Sequence, residues 1–411
     1  MTRPIVIVGA GAAGLVAAIT AAATPAVKVI VVEKTRDGGR KILISGGGRC
    51  NVLPVALQPE RFVTASSPAT LRRLLRSWPI DDQRAFFERD VGVELALEAE
   101  SAKYFPRSNR ARDVRDGLVA LARRRGVEVV CESALTNLVA VESGWRVETM
   151  TGPIEAAAVV LATGGLSVPA TGSDGMGLRL AAALGHIVHD TYPALTPLVA
   201  DPAVHASLSG VSLTVRLRTK WQGKTRQAAG GFLFTHRGYS GPSVLDISDV
   251  AVRSKTETTR ATIRAQWSAL DATAWAREFA SAGGRVTRVM ARHVPERLAE
   301  RLAYEAGLPS DRSVAELRRS ERLALIERLT AYALPWSGDE GYAKAEVTGG
   351  GVALSECDPR TLESRRQRGL FLCGEMLDAF GPIGGHNFAW AWATGRLAGL
   401  GAAEKIRSRR P

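Results

Sequence analysis

Residues 5 to 33 read IVIVGAGAAGLVAAITAAATPAVKVIVVE, and few folds can use such a stretch. Ile5 to Val8 is a short β-branched run, the pattern of a buried parallel strand. Gly9-Ala10-Gly11-Ala12-Ala13-Gly14 follows at once, and an alanine-rich run to Ala23 has the composition of a helix. A second apolar run, Val27 to Val32, ends at Glu33 and Lys34. Strand, G-x-G-x-x-G, helix, strand and acid are the parts of a dinucleotide-binding unit. Gly9 makes the tight turn, Gly11 lets backbone approach a pyrophosphate, and Gly14 lets helix pack on strand. The first turn of the helix offers free N–H groups to phosphate. Glu33 is placed to accept from a ribose 2′-OH, which favours an adenosine without a 2′-phosphate. The same run imitates a secretory signal, but fixed-spacing glycines interrupt it and polar VVEK follows it instead of a cleavage site.

The next stretch, GRKILISGGGRCN at residues 39–51, bears on which dinucleotide is bound. Simple NAD dehydrogenases continue here with another short strand and helix. Bare glycines between cations suit a longer ligand pressed against backbone. Arg40 and Lys41 are expected near phosphate, with Ser45 and the Gly46-Gly47-Gly48 turn under a flat ring; a flexible glycine loop is the alternative. Further pieces follow. Val127 to Cys131, Trp145 to Thr149 and Ala158 to Leu161 have strand composition, and the last ends in Ala162-Thr163-Gly164-Gly165. Leu370 to Cys373 is a strand ending at Gly374-Glu375. Gly384-Gly385-His386-Asn387-Phe388 opens a helix running to about Gly399, whose N-terminus suits the negative charge of a reduced flavin.

With these pieces in order the chain resembles the BaiN/RdsA-type FAD-dependent oxidoreductases, within the two-dinucleotide-binding-domain flavoproteins. The resemblance covers nearly the whole length. It is carried by GAGAAGLVAAI, GRKILISGGGRCN, YFPRSNRARDV, VVLATGGLSVPATGSDGMG, LGHIV, PALTPLV, FLFTHRGYSGPSVLDIS, AEVTGGGVAL and LFLCGEMLDAFGPIGGHNFAWAWATGRLAG. Two segments depart from the family pattern: Val52-Leu53-Pro54 stands where a Thr-Asn pair is usual, and Ala102-Lys103-Tyr104-Phe105-Pro106 stands for Gly-Arg-Val-Phe-Pro. The resemblance implies an α/β, Rossmann-like FAD-binding domain that is discontinuous, residues 1–190 with 341–411. It carries a β-rich insert (191–268 and 334–340) and a helical subdomain (269–333). The residues agree: Val211 to Trp221 and Gly231 to Phe234 are strand-like, Ala269 to Ala333 is crowded with helix formers, and Ala343 to Val347 has the composition of a returning strand. No second G-x-G-x-x-G follows a strand. NAD(P)H, if it is the reductant, therefore visits the flavin transiently.

Candidates for chemistry follow from reduction of an activated double bond, which needs a proton donor beside the flavin. His236, in FTHRGYSGP, is either that acid or a structural hydrogen-bond partner of the Ser240-Gly241-Pro242 turn. Cys50 is either the acid or a packed residue, and Arg49 is a candidate for neutralising phosphate or an anionic flavin. Asn387 resembles the family's flavin contact. His186 is read as a helix cap, and Trp390 and Trp392 fall on opposite faces of the last helix. No metal-ligand motif is present.

Lys and Arg outnumber Asp and Glu by 54 to 41, a net +13. That excess attracts polyanions, though the cations are dispersed in clusters such as Arg72, Arg73 and Arg76, Arg123 to Arg125, and the tail Lys405, Arg407, Arg409 and Arg410. The family includes a type that reduces uridine to dihydrouridine in ribosomal RNA, so ribosomal RNA is one expected partner. Steroid-type reduction or amine oxidation of a small molecule is the other reading. Four cysteines without a C-x-x-C pair predict reduced thiols and a cytoplasmic protein, and no apolar run is long enough to span a membrane.

Overall fold

The computed structural model describes residues 3–408; Arg409 and Arg410 of the basic tail lie outside the described residues. The chain divides into two compact units, one formed by the segments through Tyr192 and from Val347 onward, the other by Pro193–Glu346.

The first unit is built on a five-stranded parallel sheet. Its spatial order is Leu370–Leu372, Ala158–Leu161, Ile5–Val8, Val29–Val32, Glu128–Val130. All four residues of the chain's opening strand are buried, as a strand covered on both faces requires. The helix Ala12–Ala22 follows the glycine turn directly. Gly14 has no room for a side chain, because a Cβ there would meet the Gly9 carbonyl oxygen at 1.8 Å. The last helix, His386–Arg407, runs past the predicted end at Gly399 and lies against the first. Gly395 and Gly399 make that approach possible: a Cβ would meet the Ala13 carbonyl oxygen at 2.3 Å and the Ala17 carbonyl oxygen at 2.4 Å. Because the helix is covered on several sides, Trp390 and Trp392 are both core residues despite facing different ways. Their indole N–H groups donate to the carbonyl oxygens of Gly374 (3.1 Å) and Val52 (3.1 Å).

This unit also holds two smaller antiparallel sheets. One joins Leu135–Val141, Gly144–Thr149 and Gly152–Ala156. The other pairs Leu53 with Tyr104 and Pro54 with Lys103, so the two segments that depart from the family pattern form one ribbon. The expected strand at Ala343 to Val347 is instead a turn leading into Val347–Val352, and the glycines themselves form the strand. The reason is close packing: a Cβ on Gly349 would lie 2.3 Å from the Tyr192 ring.

The second unit holds a seven-stranded sheet dominated by the hairpin Ser212–Trp221 and Lys224–Phe234. The helices between Ala272 and Thr330 belong to the same unit and share its core: Trp275, Met290, Leu302 and Leu325 pack in one cluster with Leu217 and Phe232 of the sheet and with Trp267 just after it.

Candidate functional site

The first helix begins at Gly11 with no side chain capping it and no acid in its first turn. The N–H groups of Ala12, Ala13 and Gly14 therefore lack the usual side-chain partner. No other part of the protein lies within 4 Å of a Cβ built on Gly11. Gly9, at φ +103°, could not carry one, since it would meet the Ala162 carbonyl oxygen at 2.6 Å. An open space over an uncapped helix end fits a pyrophosphate. Glu33 is buried at the end of the second strand and accepts from Ala10 N (2.7 Å), Thr35 N (2.8 Å) and Thr35 Oγ1 (2.7 Å). The carboxylate thus locks the glycine turn to the second strand, with one of about four acceptor positions left for a ribose. Lys34 pairs with Asp174 at 2.8 Å.

The stretch after it is more structured than its glycines suggest. Gly39, in the left-handed region, starts a short helix Arg40–Ile44, and a tight turn at Ser45–Gly48 follows. Ser45 closes it, accepting from Cys50 N at 3.0 Å through its carbonyl oxygen. Gly46, Gly47 and Gly48 all have positive φ and are exposed. A Cβ on Gly47 would meet nothing within 4 Å, so space over this turn is open, while one on Gly46 would strike Asn51 Oδ1 at 2.7 Å.

The cations around the turn do not stand free for phosphate. Arg40 pairs with Asp37 at 3.0 Å. Lys41 Nζ lies 2.7 Å from Glu375 Oε2 and 2.6 Å from Ser167 Oγ. Glu375 Oε1 accepts from Ser167 Oγ at 2.6 Å and Thr348 N at 3.0 Å. Burial alone would push the Glu375 carboxyl up; the Lys41 ammonium and the Ser167 and Thr348 donors outweigh it and hold it below its ordinary value. Thr348 Oγ1 in turn accepts from Leu166 N (2.7 Å) and Ser167 N (3.1 Å), tying the A-T-G-G segment to the same knot. Gly165 sits against it, its Cβ position 2.3 Å from Thr348 Oγ1. Gly164 takes φ +73°, and the Thr163 hydroxyl is within 3.5 Å of the Gly164 carbonyl oxygen. Ser167 and Thr348 were not singled out from the sequence. Their signal was there, as polar residues inside LSVPAT and EVTGGG.

Arg49 is engaged by protein partners as well. It donates to Glu98 Oε1 (2.8 Å) and Asn109 Oδ1 (2.9 Å), and its guanidinium lies 3.9 Å from the centre of the Phe105 ring. Cys50 is fully buried at φ +63°, and burial pushes its thiol up to about 12. An enclosed thiol of this kind fits the packing alternative.

At the C-terminal end, Gly374 takes φ +78°, and a Cβ on it would lie 2.8 Å from Ala13 Cβ, beside the first helix. Gly385 starts the last helix in the left-handed region, uncapped by any side chain and with no acid in the first turn. Asn387 is committed to its own loop: Oδ1 accepts from Gly381 N at 2.8 Å and Nδ2 donates to Gly381 O at 3.0 Å. Phe388 stacks on Trp392 with ring centres 5.2 Å apart. His386 is buried, and burial together with the nearby Arg61 charge pulls its imidazole down to about 4. His186 caps a helix end, Nδ1 2.9 Å from the Ala181 carbonyl oxygen and Nε2 2.7 Å from Ser364 Oγ. His236 belongs to the second unit, where its imidazole is exposed in the turn before Gly238–Ser240.

Comparison with known proteins adds the family. The model of the "HI0933-like protein Rossmann domain" matches residues 3–401. The chain belongs to the HI0933-like family. As a member it is a flavin-dependent oxidoreductase, and the family implies FAD as the dinucleotide. The open space at Gly11 and the two uncapped helix ends fit that group. The chain is 30% identical over 399 residues to the ribosomal RNA dihydrouridine synthase of Escherichia coli K12, covering 95% of each. It is 29% identical over 407 residues to the 3-dehydro-bile acid delta(4,6)-reductase of Clostridium scindens, covering 97% of this chain and 98% of that one. Among solved structures, a 3-ketosteroid-delta4-(5alpha)-dehydrogenase from Rhodococcus jostii RHA1 shares the fold. Its TM-score is 0.52 at 16% identity, over 98% of this chain and 97% of that one. Among the described residues no helix is long and apolar enough to cross a membrane.

Proposed function

We propose that this chain is an NAD(P)H-driven, FAD-dependent reductase of a polarised carbon–carbon double bond, with uridine in ribosomal RNA as substrate. The observation that carries this reading is end-to-end similarity, at 30% identity, to a ribosomal RNA dihydrouridine synthase. The net charge of +13 supports it, since a polyanionic substrate is drawn to such a protein. Bound FAD supplies the two-electron redox chemistry. The chain's own part is to hold the pyrophosphate at Gly11 to Gly14 and to seat the flat ring over the open turn at Gly47. It also has to deliver a proton. Of the two candidates, His236 is exposed and Cys50 enclosed, which leaves His236 as the one to test as the acid. NAD(P)H is proposed as a transient visitor.

A second reading is favoured by the Clostridium scindens relative, which is almost equally similar: reduction of a steroid-like small molecule. Mass spectrometry of ribosomal RNA nucleosides from cells with and without the gene decides between them. Loss of dihydrouridine on deletion, restored by purified enzyme with NADPH, supports the RNA reading. Unchanged dihydrouridine, with NADPH-dependent consumption of an unsaturated 3-ketosteroid, replaces it by the second.

A further inference from the structure

We propose that the exposed face of the second unit's sheet, at the tip of its long hairpin, binds the phosphate backbone of RNA. The inference rests on the RNA reading and adds the surface. Along Ser212–Trp221, Val215, Leu217 and Thr219 point into the core while Arg216, Arg218 and Lys220 are exposed. Two residues of strand advance roughly 6.5–7 Å, so the three cations form an evenly spaced row that can follow successive phosphates. Register places a fourth, the exposed Arg264, directly opposite Arg218. Like charges facing each other across strands destabilise a sheet, and an anion lying between them removes that repulsion. Among the described residues, no carboxylate pairs with Arg216, Arg218 or Lys220. Elsewhere Arg125 is paired with Asp90 and Arg366 with Glu356.

The row runs into a concavity of about 670 Å³, lined by Arg218, Lys220, Trp221, Arg260 and Arg264, with Glu257 as the one acid. Glu257 is already engaged, accepting from Trp221 Nε1 at 2.7 Å and Gln222 Nε2 at 3.1 Å. Those bonds, with the Arg253 guanidinium 4.8 Å from the ring centre, fix the half-buried indole. Cations in a row beside a held aromatic ring are the two elements of a single-stranded nucleic acid surface: charge for the backbone and a flat face for a base.

The test uses full-length, FAD-loaded protein and ribosomal RNA from the deletion strain, with affinity measured across a salt series. The variant R218Q/K220Q/R264Q loses three contacts. Its slope of log affinity against log salt is expected to flatten by about 2, at roughly 0.7 per contact, with affinity at least about tenfold weaker near 0.1 M salt. FAD content and flavin reduction by NADPH stay at the wild-type level. Melting temperature does not fall, because a like-charge pair has been removed. The pair R218Q/R264Q is expected to flatten the slope by about 1.4. R72Q/R73Q/R76Q, on the helix Pro68–Arg76, leaves the slope unchanged. If wild type binds RNA and the triple variant has the same slope and affinity, this surface is wrong and the RNA reading stands. If wild type shows no salt-dependent RNA binding and restores no dihydrouridine, both fall.

Discussion

Replacing Lys41 by methionine separates two roles for this residue, because the phosphate reading and the observed pair predict opposite behaviour at Glu375. The ammonium is 2.7 Å from the Glu375 carboxylate, with 26% and 18% of the two side chains exposed. Removing one partner of a fully buried pair costs about 3–5 kcal/mol. Here both ends are partly wet, and Ser167 Oγ and Thr348 N still donate to the carboxylate, so about 2 kcal/mol is the reasonable figure. Glu375→Gln removes the charge that Lys41 serves. The double variant should then be no less stable than Lys41→Met alone, giving a coupling of about 1–2 kcal/mol. Guanidinium unfolding of the FAD-loaded proteins at neutral pH measures all four corners of the cycle, and flavin content is read on each. If the two substitutions add within about 0.5 kcal/mol, and Lys41→Met loses FAD whatever stands at 375, the pairing argument is refuted and Lys41 is a phosphate ligand after all.

Gly11→Val should fold, since no other part of the protein crowds that Cβ, and should come out colourless because the side chain fills the pyrophosphate's space; visible absorbance and a melting curve check both. Cys50→Ala should keep FAD and turnover, at a stability cost of about 1 kcal/mol for the small void. His236→Ala should leave flavin reduction intact and slow transfer to substrate by roughly 10²- to 10⁴-fold; stopped-flow measurement of the two half-reactions tells them apart. For His386, with its pKa lowered by burial to about 4, the unfolded chain binds more protons between about pH 6.5 and 4. Stability is therefore complete above that window and falls as pH drops through it, by up to about 3 kcal/mol. His386→Leu should flatten the loss in urea titrations over that range.

The parallel sheet was legible because its strands carry their own signature: runs such as IVIV and AVVL have no other use than a core covered on both faces. The glycine turn at residues 9–14 was legible for a related reason, since each glycine answers a separate steric demand. The partners of charged side chains were not. Nothing local to GRKIL says that Lys41 will find a carboxylate 334 positions along the chain, nor that Arg49 will lie on Phe105. Such pairings are set by which loops converge at the ends of the strands. The Val347–Val352 strand was missed because glycine is a poor strand former, and only the Tyr192 ring, far off in sequence, explains why no side chain fits.

That same place, where the strands Val188–Ala194 and Val347–Val352 pair, has a topological consequence. The chain leaves the first unit after Tyr192 and re-enters it at Val347, so both crossings run through one two-stranded neck. For the growing polypeptide the whole second unit is a single excursion of about 150 residues, whose closure as a floppy loop would cost on the order of 4–5 kcal/mol of chain entropy. An excursion that has already condensed costs far less to close, because its ends are brought together by its own folding. Folding of the insert thereby favours closure of the neck and, with it, the pairing of Leu370–Leu372 beside Ala158–Leu161 that completes the sheet. By the same geometry the insert is a cassette. A chain that turned back tightly at the neck would keep the cofactor fold continuous, and one that spliced in a different insert would leave the parallel sheet unchanged.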